Sequence, residues 1–217
     1  MRKTVIVLGK GELAIRVAEW FMHSNEYRLP FVVPVLPEPP WAPSFGEAMA
    51  NTYREVGDEF YYQPVILDSY KDLRVPVDLA VSIYYDQILP ASFLKLCCKA
   101  INLHNAPLPR YRGVNPINWA LKNGETEYGV TIHQIDEGID DGPIIAQVRF
   151  PIDPVLDEVA DVYRRCLEEG WRLFLRTIPN LWDIDPTPQE DGAATYYSKA
   201  DAAGLGDRSN WTRAQSC

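Results

Sequence analysis

The sequence predicts an α/β protein: a Rossmann-like, mainly parallel sheet with helices on both faces, plus a short C-terminal extension. Three observations carry that expectation. Apolar β-rich runs alternate with segments whose apolar residues recur at helical spacing. The first run ends in the glycine turn "GKGELA", which opens a helix. At 217 residues with 47% hydrophobic side chains, the chain can bury one full core. One main domain follows over residues 1–182, then an extension over 183–217, where the composition shifts to Pro, Asp, Gly and Ala.

Each element has its own signal. "KTVIVLG" reads as a buried strand, and Leu13, Val17, Trp20 and Phe21 recur at helical spacing behind it. "RLPFVVPVLPEPP" is a second buried strand ended by its prolines, and "GEAMANTYREVG" a short helix. "PVILDS" and "VDLAVSIYY" are further strands; "ASFLKLCCKA" is a short helix leading directly into the strand "AINLHNAP". "PINWALKNGE" is a helix closed by Gly124, followed by a strand pair, "YGVTIHQID" and "GPIIAQVRFPI", with a polar loop between. From about Asp157 to Trp182 runs a long amphipathic helix with Val159, Val162, Cys166, Leu173 and Phe174 on one stripe. Beyond Trp182 the tail reads as loosely packed. No internal repeat is visible.

Charge and composition exclude several classes. A net charge of −9 disfavours a non-specific grip on nucleic acid or an anionic membrane, so an anionic ligand needs a local basic pocket. Cys97 and Cys98 are adjacent and Cys217 is terminal, a spacing that fits neither a disulfide framework nor a zinc site. The opening "MRKTVIVLGKGELA" carries a short apolar run without a small-residue cleavage site, and no stretch reaches transmembrane length. A soluble cytoplasmic protein is the expectation.

Four motifs bear on chemistry. "GKGELA" matches a loosened dinucleotide fingerprint, Gly-x-Gly-x-x-Ala, but the acid that should close the second strand is represented only by Glu38 among prolines. A phosphate-facing or structural turn, with Lys10 as a charge partner, is favoured over NAD(P) binding. Asn102 and His104 are different in kind: strand alternation puts both on one face at a strand's carboxyl end, where open α/β sheets bind ligands. An imidazole that takes a proton near neutral pH beside an amide that donates to an oxyanion suits acyl transfer, against the alternative of a structural histidine and a turn residue. "DEGIDDG", Asp136 to Gly142, adds carboxylates able to orient that histidine, and is too short for a calcium loop. A metal held by His104, His133 and an Asp lacks the helical His-Glu-x-x-His pattern, so no metal is expected.

In order, Asn102-x-His104, "LPRYRG" and "GVTIHQIDEGIDDG" make the stretch from Ile101 to Ala146 resemble the folate-dependent formyltransferases, which use 10-formyltetrahydrofolate. The resemblance implies that Asn102, His104 and Asp140 are the catalytic residues, with Asp140 late in an Asp-x-Gly-x-Asp loop. "NLHNAPLPRYRGVNPINWALKNGE" looks like the branch acting on dTDP-linked amino sugars, and "ATYYSKADAAG" like a degraded Tyr-x-x-Lys segment found after that branch's catalytic domain. The purine-synthesis branch instead opens Asn-x-His-Pro-Ser-Leu-Leu-Pro. The branch formylating methionyl-tRNA carries a further carboxy-terminal domain and a basic surface, neither of which this acidic chain suggests.

The resemblance further implies that the pterin is read by backbone around Gln87, Ile88 and Leu89 and by the loop of Asp136 and Gly138. Lys10, Arg110 and Arg112 are candidate cations for the sugar diphosphate, although Arg112 is equally placed to pair with an acid. Tyr84, Asn105, Asn115 and Trp119 are candidate sugar contacts. It also implies a homodimer, no nucleic acid or membrane partner, and a dTDP-amino sugar substrate such as dTDP-4-amino-4,6-dideoxyglucose. The rivals are a glycinamide ribonucleotide formyltransferase, a Rossmann-type NAD(P) dehydrogenase, and a catalytically silent folate- or nucleotide-binding module.

Overall fold

The computed structural model describes residues 2–56 and 76–209. The strand expected at "PVILDS" lies outside the described residues. The chain forms two compact units, Met1–Asn102 and Leu103–Cys217, and the second spans both sides of position 182.

The first unit is built on β1 (Lys3–Gly9), followed by α1 (Gly11–Met22), β2 (Tyr27–Arg28), β3 (Val32–Pro34), α2 (Phe45–Val56), β4 (Val77–Ile83), α3 (Ala91–Leu94) and β5 (Cys97–His104). β1 pairs in parallel with β2, β3 and β4, and β5 lies beside β4. The hydrophobic run from Val5 to Leu8 is fully buried, as a strand between parallel neighbours must be.

The glycines of "GKGELA" have packing reasons. A Cβ on Gly9 would sit 2.4 Å from the Ile83 carbonyl oxygen of β4, and Gly11 turns the chain into α1 with a φ of +71°. Glu38, the acid a dinucleotide fingerprint would use, instead accepts the Phe45 and Gly46 N–H groups at 2.7 Å each and caps the start of α2. α3 is shorter than the sequence suggests. Leu96 closes it through a bond to the Phe93 carbonyl (2.9 Å) and is itself bonded by Val77 N–H (3.3 Å), so both cysteines already belong to β5.

The second unit takes up the end of β5 and adds β6 (Arg112–Gly113), α4 (Pro116–Lys122), β7 (Glu127–Gln134), β8 (Ile144–Pro151), α5 (Val159–Thr177) and β9 (Tyr196–Tyr197). β7 and β8 are antiparallel, and their register slips between Ile132 and His133, where Ile145 is passed over. α5 begins in a capping box between Glu158 and Asp161, buries Val159, Val162, Cys166, Leu173 and Phe174, and gives way to a 3-10 turn at Ile178–Asn180 rather than running to Trp182. Among the described residues no helix is long and apolar enough to cross a membrane.

Among the described residues the tail is not loosely packed. Thr187 and Ile144 exchange two backbone hydrogen bonds of 2.7 and 2.8 Å, β9 pairs in parallel with β6, and Tyr197 stacks on Trp119 with centroids 4.2 Å apart. Composition hides this, because much of the tail is held by hydrogen bonds, and its buried apolar contacts rest on a few residues such as Tyr197 and Leu205.

Candidate active site

The second unit gathers its acid–base groups where three segments meet. β5 delivers His104 at its last position, 9% exposed. The chain leaving it is fastened from β7 and β8: Thr131 Oγ1 donates to the Ala106 carbonyl (2.7 Å) and accepts from Leu108 N–H (3.2 Å) and Gln147 Nε2 (2.9 Å). The Tyr128 hydroxyl donates to the Asn105 carbonyl. Tyr111, at a φ of +65°, then turns its carbonyl back to His104 Nε2 at 2.9 Å while its own N–H donates to Thr195 Oγ1 at 2.7 Å.

Asp140 completes the cluster. Its carboxylate lies 3.6 Å from His104 Nδ1 through one oxygen and 3.6 Å from His133 Nε2 through the other. Gly113 N–H donates to it at 2.9 Å. His133 stands where Ile145 of β8 bulges out of register with β7, and its Nδ1 bonds the Gln134 carbonyl at 2.7 Å. A carbonyl only accepts, so each ring carries a proton on the nitrogen facing backbone and turns its other nitrogen to the shared carboxylate. Burial pushes the Asp140 carboxyl up, but the charge of His104, the hydrogen bond and charge of His133 and the Gly113 N–H together outweigh it and hold it well below the usual carboxylate range. Asp140 has a φ of +54°, a strained value for a residue with a side chain, concentrated where the carboxylate must be aimed.

The loop before it is folded on itself. Asp136 accepts Gly138 N–H at 3.2 Å, and a Cβ on Gly138 would lie 2.0 Å from an Asp141 oxygen. Burial, then the hydrogen bond and charge of Asp136, raise the Asp141 carboxyl. Asn102 sits two residues before His104 on β5, so strand alternation puts both side chains on one face. Among the described residues no group of His, Cys, Asp and Glu side chains is arranged to hold a metal.

Several of the expected substrate contacts have partners within the protein. Lys10 pairs with Asp86 at 2.9 Å within the first unit. Arg110 forms a two-point pair with Glu125, which also accepts the Tyr111 hydroxyl at 2.6 Å. Burial and that carboxylate push the Tyr111 hydroxyl up to about 12. Arg112 turns to the tail, with Nη2 2.8 Å from Gln189 Oε1 and 3.5 Å from the exposed Asp191 carboxylate. Trp119 is 8% exposed, stacked under Tyr197 and close to Gly204. Asn115 begins α4 at a φ of +53° and is exposed, whereas Asn105 is 8% exposed and its Oδ1 has no partner among the described residues. Tyr84 has a φ of +57° at the end of β4; Gln87 accepts the Tyr85 hydroxyl at 3.2 Å, Ile88 is 74% exposed and Leu89 is buried.

His133 is the residue that sequence reasoning undervalued, considering it only as a metal ligand. The alternation of "VTIHQI" carries the signal, since it puts His133 on the face of the fully buried Thr131. Gln189 left no such signal.

These features define an α/β protein with an acid–base site at a strand terminus. A sequence model described as formyl transferase matches residues 58–178, more than half of the chain, and the chain belongs to that family. It is 42% identical over 124 residues to the methionyl-tRNA formyltransferase of Synechococcus sp. (strain JA-3-3Ab), covering 55% of this chain and 38% of that protein. Against the methionyl-tRNA formyltransferase of Deinococcus radiodurans the identity is 41% over 120 residues, covering 55% and 37%. The chain thus matches well under half the length of these curated relatives. Among solved structures, the N-formyltransferase of Helicobacter canadensis in complex with folinic acid and dTDP-3-aminofucose superposes with a TM-score of 0.75 at 26% identity, over 93% of this chain and 72% of that one.

Proposed function

We propose that this protein moves a formyl group from 10-formyltetrahydrofolate to the amine of a dTDP-linked amino deoxysugar, with dTDP-4-amino-4,6-dideoxyglucose or a close relative as acceptor. The observation that carries the chemistry is one carboxylate, Asp140, facing two imidazoles at 3.6 Å, one of which, His104, is two residues along β5 from Asn102. The acceptor class is supported by the "HNAP" turn and the Asn115-Pro-x-x-Trp119 helix start, by the likeness to the Helicobacter canadensis enzyme, and by a net charge of −9, which is poorly suited to RNA.

In this reaction the amine nitrogen bonds to the formyl carbon, the bond from that carbon to N10 of the folate breaks, and the proton lost by the amine ends on the departing nitrogen. Asn102 donates to the formyl oxygen as negative charge develops there. Both ring nitrogens of His104 face acceptors, the Tyr111 carbonyl and Asp140, and neither neighbour donates to them. That favours His104 as a proton donor to the oxyanion over a free base. The contact of Nδ1 with Asp140 is the longer one and the easier to exchange for substrate. Asp140, held well below the usual carboxylate range, keeps the charge that orients His104 and holds the ring proton. Losing one such oxyanion donor typically costs about 3 kcal/mol, on the order of 10²-fold to 10³-fold in rate.

The reading includes a cytoplasmic homodimer. Its test is mass spectrometry of 10-formyltetrahydrofolate with a panel of dTDP-amino sugars, glycinamide ribonucleotide and methionyl-tRNA. Gain of the elements of CO on a dTDP-amino sugar alone supports the proposal; formylation of glycinamide ribonucleotide or of methionyl-tRNA overturns the acceptor. Methionyl-tRNA is the second reading, favoured by the 42% identity to an enzyme of that name.

A further inference from the structure

Gln189 lies beyond the residues matched by the family model, in the polar stretch "PTPQED", yet it reaches the centre of the site. Its Nε2 donates to the Asp140 carbonyl (2.9 Å) and to the Gly142 carbonyl (2.8 Å). Its Oε1 accepts from Arg112 Nε (3.1 Å) and Nη2 (2.8 Å). Both donors and both lone pairs of one carboxamide are therefore engaged. Two residues earlier, Thr187 is pinned to Ile144 by paired backbone bonds, which fixes where Gln189 can reach.

The carbonyls that Gln189 holds belong to a strained segment. Asp140 has a φ of +54°, and the direction of its carbonyl sets its ψ. A left-handed residue with a side chain persists only where its surroundings hold it there. Gly142 is pressed so closely on β7 that a Cβ would lie 2.1 Å from the Gln134 oxygen. On the other side Arg112 precedes Gly113, whose N–H bonds the Asp140 carboxylate at 2.9 Å. One side chain thus ties the backbone of Asp140 to the strand residue next to the donor that receives its carboxylate.

We propose that Gln189 is a positioning residue of the formyl-transfer site, fastening the Asp140 turn to β6 so that the carboxylate stays opposite His104 and His133. The proposal rests on the transferase reading, but part of its test does not. Gln189→Glu keeps the length and the acceptor for Arg112 while turning an oxygen, in place of the NH2 group, to two carbonyl oxygens. Gln189→Met keeps the length without charge. Asp191→Asn, at a side chain 92% exposed, is the control for a general disturbance of the tail.

Two measurements decide. In the substrate-free protein, the 15N resonances of the His104 and His133 rings should move in a Gln189 variant and stay in place in Asp191→Asn. With substrates, kcat should fall by on the order of 10²-fold, as for a small misplacement of reacting groups, with KM for folate and acceptor changed by less than about threefold. Unmoved imidazole resonances, an unchanged kcat, or an equal loss in Asp191→Asn would overturn the proposal. If one Gln189 variant fails to fold the other decides, and failure of both overturns it in favour of a purely structural strap. Should no acceptor be formylated by the unaltered protein, the transferase reading fails while the imidazole resonances still decide what Gln189 holds in place.

Discussion

Replacing Asp140 by Asn keeps the shape of the side chain and an oxygen for the Gly113 N–H but removes the charge that both imidazoles face. The carboxylate oxygens lie 3.6 Å from His104 Nδ1 and from His133 Nε2, in a side chain only 14% exposed. At an effective dielectric of about 20, a full pair of charges at such a separation interacts by ~4–5 kcal/mol, an upper limit to what His104 can lose. An amide oxygen in the same place still accepts a hydrogen bond, and bonds involving charge are roughly twice as strong as neutral ones. About half is then lost, ~2 kcal/mol, or ~30-fold in kcat. The assay is steady-state formyl transfer at saturating 10-formyltetrahydrofolate, with a thermal melt to establish that the variant is folded. KM for the acceptor should hardly change, because the amide leaves the shape of the site intact. A folded Asp140→Asn protein with kcat within twofold of the unaltered enzyme would refute the assignment of Asp140 to the chemistry.

Three further outcomes follow from the same geometry. The Asp140 carboxyl is depressed in the folded state, so its contribution to stability is complete above the ordinary carboxylate value near about 4 and fades as pH falls through the depressed value; the stability gap between the unaltered protein and Asp140→Asn, read from urea unfolding, should narrow with acidification below that range, and a pH-independent gap would contradict it. Gly113→Ala meets both a φ of +91° and a Tyr197 oxygen 2.2 Å from the new Cβ, so it should dislodge β9 from β6 and lower both melting temperature and kcat; a variant as stable as the parent would contradict the pairing. Trp119→Ala removes an indole 8% exposed and stacked on Tyr197, but its buried Nε1 has no partner among the described residues, so the cost should fall at the low end of the range for such changes, about 3 kcal/mol, or roughly 6–12 °C in melting temperature by calorimetry.

Much of this protein is readable locally. Alternation and helical spacing report burial directly, which is why β1, β4, β7, β8 and α5 stand close to where the apolar pattern puts them. The pairing of Asn102 with His104 on one strand face is of the same kind, and the glycine-bounded acidic loop delivers Asp140 to the histidine it resembled a partner for. The misreadings also have causes. "ASFLKLCCKA" has the composition of a helix, but sheet bonding at Leu96 takes over before the cysteines. For "GKGELA", read as a phosphate-facing or structural turn rather than a nicotinamide loop, the structure adds the packing reasons: Gly9 answers to the closeness of β4 and Gly11 to a left-handed turn.

What no local pattern could supply is the set of partners that meet across long stretches of chain. Gln189 is 49 residues from Asp140 and 77 from Arg112, so no periodicity joins them, and a glutamine in a proline-rich tail looks like solvent-facing loop. Arg112 and Trp119 suit substrate roles by their side chains, and the returning tail engages both. The amino-acid order alone determined the elements, the inward faces and the three residues resembling a formyl-transfer centre, because burial and handedness act over a few neighbouring positions. Only the tertiary structure decided that His133 shares the carboxylate, that Gln189 braces it and that the tail belongs to the site, because hydrogen bonds between distant segments depend on where folded backbone comes to rest.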